Sequence, residues 1–84
     1  MNDVSVNRSR LRWRCRRGML ELDLLLQGFL DNGFEQLEET GRLEFVRLLE
    51  LPDQTLHDYL MGNIEIRERE FADVIERIRY AATS

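Results

Sequence analysis

Lysine is missing from this 84-residue sequence: all twelve basic residues are arginine. Arginine's planar fork pairs bidentately with carboxylates and tolerates partial desolvation, which suits a binding surface, although a codon preference for arginine would give the same composition without any site. Cys15 is the single cysteine, which excludes an internal disulfide and fits a cytoplasmic compartment. With His57 as the sole histidine, a tetrahedral zinc site would need two further ligands, so no metal is expected. Pro52 stands alone too, which argues against long linkers or disorder. No apolar run approaches the roughly 20 residues of a bilayer-spanning helix, so no membrane insertion is expected. Nor does an apolar segment follow the basic start as in a secretory signal, so residues 1–7 read as an ordinary mobile terminus. The glycines are scattered singly, which leaves no phosphate-cradling loop.

What is present fits one small soluble domain spanning residues 1–84. The chain is 43% hydrophobic and 33% charged, and at this length it buries little more than half of its unfolded surface. Leu22, Leu25, Leu26 and Phe29 recur at helical spacing, with Leu24 and Leu30 widening the same face, and this helix should end near Asn32 and Gly33. A helix over 38–51 would bury Phe45, Val46, Leu48 and Leu49 before Pro52 stops it. Asp53 is a reasonable N-cap for a short helix carrying Leu56, Tyr59 and Leu60, with Gly62 at its end. A last helix over 67–82 would bury Phe71, Val74, Ile75, Ile78 and Ala82. Near the N-terminus, arginines at 8, 10, 12, 14 and 16 alternate with other residues, a strand-like period. A lone strand would leave its backbone unpaired, so 8–17 is read as a helix with Leu11 and Cys15 on one face, a line continued by Met19. The expected fold is all-α, a compact bundle of five short helices.

Charge reverses at Gly18. Residues 1–17 carry six arginines against Asp3, a net +5, whereas residues 18–84 carry six arginines against fifteen acids, a net −9. The turnover falls in Arg16-Arg17-Gly18-Met19-Leu20-Glu21-Leu22-Asp23. Guanidinium, bare glycine backbone and carboxylate make a docking surface for another folded protein, and they lack the parts of a catalytic site. Glu21 and Asp23 stand two apart and cannot grip one reacting atom on a helix; Asp23 reads as a solvated acid favourable at a helix N-terminus. A helix running through Gly18 would bring Arg17 and Glu21, four residues apart, to one face. Cys15 lacks a neighbouring histidine and is read as a small buried hydrophobe, and His57 as a surface or cap residue. Trp13 among arginines raises single-stranded nucleic acid as a ligand, but an acidic body repels a polyanion, so Trp13 is read instead as a core aromatic fastening the first helix.

Trp13, Cys15, Arg16, Arg17, Gly18, Met19, Glu21, Leu22 and Asp23 together resemble the signature of the succinate dehydrogenase assembly factor 2 family, the small bacterial and mitochondrial FAD assembly factors. Its R-G-x-x-E core stands here as Arg17-Gly18-Met19-Leu20-Glu21. Phe45, Leu48-Leu49-Glu50, Asp53, Leu56, Tyr59 and Leu60 continue the likeness, which covers about residues 11–62. Leu20 occupies a position where members often carry a polar or basic residue, and Tyr59 one where tryptophan is common. The resemblance implies a five-helix, non-enzymatic protein, expected as a monomer. It would bind the flavoprotein subunit of succinate dehydrogenase or fumarate reductase and promote covalent attachment of FAD to a histidine there. The FAD would belong to the partner and not be held stably by this chain, and nucleic acid would not be a partner. Contact would fall to Arg17, Gly18 and Glu21, with Arg16 and Met19 beside them. An antitoxin-like interaction module, described for bacterial relatives, is the alternative.

Overall fold

The computed structural model describes residues 8–83, so the expectation of a mobile terminus over residues 1–7 lies outside the described residues. Five α-helices follow one another with no strand among these residues: α1 (Arg8–Arg14), α2 (Leu20–Asn32), α3 (Glu39–Leu48), α4 (Asp53–Met61) and α5 (Arg69–Thr83), with a 3-10 turn, Phe34–Gln36, between α2 and α3. α5 lies against α2, α3 and α4, and α4 also meets α2. One apolar core joins them, from Leu11 and Cys15 through Leu26, Phe34, Phe45 and Leu56 to Ile75 and Ile78. Phe45 is its aromatic centre, with Phe34 edge-on at 5.4 Å between ring centroids and Phe29 tilted at 5.6 Å. The radius of gyration, 11.8 Å, matches the roughly 12 Å of a folded chain of this length.

Helical periodicity places the core faces well, except that Val46 is only partly covered and Leu24 and Ala82 lie outside them. In α2 the buried residues are Leu22, Leu26, Phe29 and Leu30, and Leu25 is partly covered. Leu24 does not widen that face, because at 100° per residue it sits about 200° from Leu22, on the opposite side of the helix. Both Leu24 and Leu20 therefore face solvent. At the far end of α5, Ala82 is exposed and not part of the stripe.

Helix ends depart from the periodicity for local reasons. α3 stops at Leu48 and not at 51, and the chain tightens so that Glu50 N–H donates to Arg47 O and Leu51 N–H to Leu48 O. The residue before a proline disfavours the helical region, so the helix must unwind ahead of Pro52. Pro52 then holds the N-cap position of α4, and Asp53 is the first helical residue and not the cap. Gly62 ends α4 in the left-handed region at φ 76°, as its position in the sequence suggests. The following stretch is pinned by Tyr59, whose hydroxyl donates to Glu68 at 2.7 Å and accepts from the Arg67 N–H at 3.3 Å.

α1 is fastened by charge as well as by its apolar face. Arg8 donates to the Leu30 carbonyl at 2.9 Å and pairs with Glu35, and Arg12 pairs with Asp31, so the basic segment meets acids at the end of α2 and in the 3-10 turn after it. The reversal of charge at Gly18 thus helps to dock the N-terminal helix on the body that follows. Leu11 and Cys15 contribute its buried face. Trp13 does not: it is 70% exposed, because on a helix it points about 200° away from both.

Candidate functional site

α1 ends at Arg14, three residues before the predicted boundary, and residues 15–19 form a loop leading into α2. Gly18 ends any helical continuity: its φ is +84°, a conformation L side chains rarely adopt. Arg17 and Glu21 therefore do not share a helix face. Each finds its own partner elsewhere.

Arg17 turns inward, and its side chain is only 14% exposed. Its guanidinium donates to Asp53 Oδ1 at 2.7 Å, to the Leu49 carbonyl, and through Nε to the Arg14 carbonyl at 2.9 Å. The Leu49 carbonyl lies just past the last turn of α3, where a helix leaves acceptors unpaired and its dipole favours a cation. Asp53 opens α4. One side chain thus ties the loop to the end of one helix and the start of the next.

Asp23 holds the same loop from the other side. Its carboxylate accepts the Arg17 N–H at 2.6 Å and the Gly18 N–H at 3.2 Å, so it is a structural clamp and not merely a solvated acid. Sequence reasoning missed this role and that of Asp53. The available signal for Asp23 was its place one turn into a helix that begins beside a glycine, where a short carboxylate can reach back to loop N–H groups. For Asp53 there was none, since 36 positions separate it from Arg17.

Outward from this frame stand Arg16, Gly18, Leu20 and Glu21, all exposed, whereas Met19 is half-buried against the core. Space beyond Gly18 is open, with no atom within 4 Å of where a Cβ would lie. Arg16 stacks its guanidinium over the Trp13 ring at 5.7 Å, beside a shallow cleft that Arg8, Arg12 and Gln27 also line. Glu21, 75% exposed, has its Oε1 3.4 Å from His57 Nε2 on α4. Arg16, Gly18 and Glu21 are thus exposed, Met19 is half inside, and Arg17 is turned inward.

Cys15, fully buried, is held protonated: burial pushes its thiol up to about 11, outweighing the pull of Arg17, Arg12 and Arg14. That suits the small-hydrophobe reading. Among the described residues no three histidine, cysteine or acidic side chains gather as a metal site, and no helix is long and apolar enough to cross a membrane. An open cleft between the end of α2 and α5 is lined by Phe29, Tyr80, Asp73, Glu76 and Arg77.

Residues 9–82 match a protein family whose model is described as flavinator of succinate dehydrogenase. The FAD assembly factor SdhE of Legionella pneumophila (strain Paris) is 47% identical over 72 residues, covering 86% of this chain and 90% of that protein. The SdhE proteins of Shewanella oneidensis and Coxiella burnetii are 42% identical over 74 residues and 41% over 70, covering 88% and 83% of this chain and 90% and 85% of theirs.

Proposed function

We propose a function from one premise: the chain belongs to the family described as flavinator of succinate dehydrogenase. It is a chaperone-like FAD assembly factor that binds the flavoprotein subunit of succinate dehydrogenase or fumarate reductase and promotes covalent FAD attachment there. The observation that carries this reading is the segment 15–21, a loop running into the first turn of α2, braced by Arg17 and Asp23 and leaving Arg16, Gly18 and Glu21 exposed. Such a surface is suited to recognition by shape and by charge-assisted hydrogen bonds. The reacting histidine and the FAD belong to the partner.

Flavin attachment requires the ring and the accepting side chain to be held in attack geometry, which is an orientational cost that a bound protein can cover without donating a catalytic group. The chain does so by binding one conformation of the flavoprotein more tightly than others. Gly18 lets a partner surface approach the backbone, and Arg16 and Glu21 fix register through charge-assisted hydrogen bonds.

Gly18→Asn tests the contact. Asparagine tolerates positive φ better than other residues with a side chain, and its Cβ would meet nothing within this chain, so the fold should survive. In cells lacking the endogenous gene, the wild-type chain should restore in-gel flavin fluorescence of the flavoprotein subunit and the variant should not. Full fluorescence with Gly18→Asn would remove Gly18 from the interface. Full fluorescence with no chain at all would remove the function.

A further inference from the structure

Both charged ends of the Arg17-to-Glu21 motif are held by the same helix. Asp53 and His57 stand four apart on α4, hence on one face a single turn from each other. Asp53 takes Arg17 at 2.7 Å, and His57 Nε2 meets Glu21 Oε1 at 3.4 Å. The first pair explains itself as part of the fold. The second does not, because an exposed glutamate gives up rotamer freedom for a contact that adds little to stability.

His57 is built to stay where it is. Its side chain is only 19% exposed, and its Nδ1 is buried without a hydrogen bond, 3.9 Å from Asp58 Oδ1. An ionised carboxylate can only accept, so Nε2 meets Glu21 as the donor in the tautomer that carries its proton there. The charged groups within reach of the ring are thus Glu21 from α2 and Asp58 from α4. A ring packed in this way presents a fixed donor to a carboxylate that would otherwise sweep freely through solvent. Through Asp53 and His57, α4 thus contacts both the buried guanidinium and the exposed carboxylate.

Resting on the reading that Glu21 meets the flavoprotein, we infer that His57 is a positioning residue that aims the Glu21 carboxylate at the partner. It touches neither flavin nor the reacting atoms. What it supplies is direction.

The test measures binding of the apo-flavoprotein subunit of succinate dehydrogenase by calorimetry, together with the initial rate of flavin attachment. His57→Ala should weaken binding about three- to fivefold, the upper range for one exposed charged contact, in a chain that circular dichroism shows to be still folded at the assay temperature. His57→Gln, whose amide nitrogen can donate from a similar reach, should restore wild-type binding. In a Glu21→Ala background, His57→Ala should have no further effect. A purely structural histidine would give equal losses for His57→Ala and His57→Gln, and an equal loss with or without Glu21; either result overturns the inference. If the wild-type chain binds but His57→Ala matches it, the inference alone falls. If the wild-type chain does not bind the flavoprotein, the proposed function falls and carries this inference with it.

Discussion

Replacing Arg17 by alanine separates support from recognition. The substitution removes the bonds to Asp53, to the Leu49 carbonyl and to the Arg14 carbonyl. Hydrogen bonds with one charged partner contribute about 1.5–3 kcal/mol where shielded, and exposed ion pairs contribute about 1 or less. The Asp53 carboxylate is nearly half exposed, so its share belongs to the smaller figure, whereas the Leu49 acceptor would be left without its donor at the end of α3. Arg17→Ala should therefore cost about 2–3 kcal/mol, which in a domain of this size lowers the melting temperature by roughly 10–20 °C. Arg17→Lys should recover only part of this, since an ammonium cannot span both acceptors as a fork does. Circular dichroism melts of Arg17→Ala, Asp53→Ala and the double variant form a cycle in which the pair should couple by about 1 kcal/mol. Glu21→Gln, altered at an exposed position, should melt within about 0.5 kcal/mol of wild type. A melting temperature for Arg17→Ala within about 2 °C of wild type would refute the inward placement of the guanidinium, since even one lost charge-assisted bond costs more.

Cys15 should resist thiol reagents at pH 8 in the folded protein and react at once in denaturant, because burial holds its thiol near 11 against an ordinary 9.0. Its folded value lies above its unfolded one, so its contribution to stability is complete below about pH 9 and declines as pH rises from there toward 11. Denaturant midpoints should fall across that window more steeply in wild type than in Cys15→Ala. Tyr59→Phe removes the hydroxyl that bridges Glu68 and the Arg67 N–H, and should cost about 1 kcal/mol, with faster hydrogen exchange at Arg67 as the local readout.

The helices were legible where periodicity is a property of one segment. Leu22, Leu26 and Phe29, or Phe71, Val74, Ile75 and Ile78, mark their faces by spacing alone, and Gly62 announces its turn. Errors came where an apolar residue was assumed to face inward. Trp13 and Leu24 lie on the far sides of their helices, and rotation by 100° per residue decides against their hydrophobicity. The motif could be found from its residue types and from the charge reversal that falls within it. Its internal arrangement could not be found, because that depends on Gly18 adopting positive φ and on Asp53 and His57, brought alongside by the packing of α4 on α2.

Asp23 closes the loop through two backbone N–H groups, and Arg17 closes it through a carbonyl and a carboxylate. A segment so fully satisfied from within has little configurational freedom left to surrender when a second protein arrives. Association then approaches the meeting of two finished shapes, for which the encounter rate is governed by steering and orientation and not by folding upon contact.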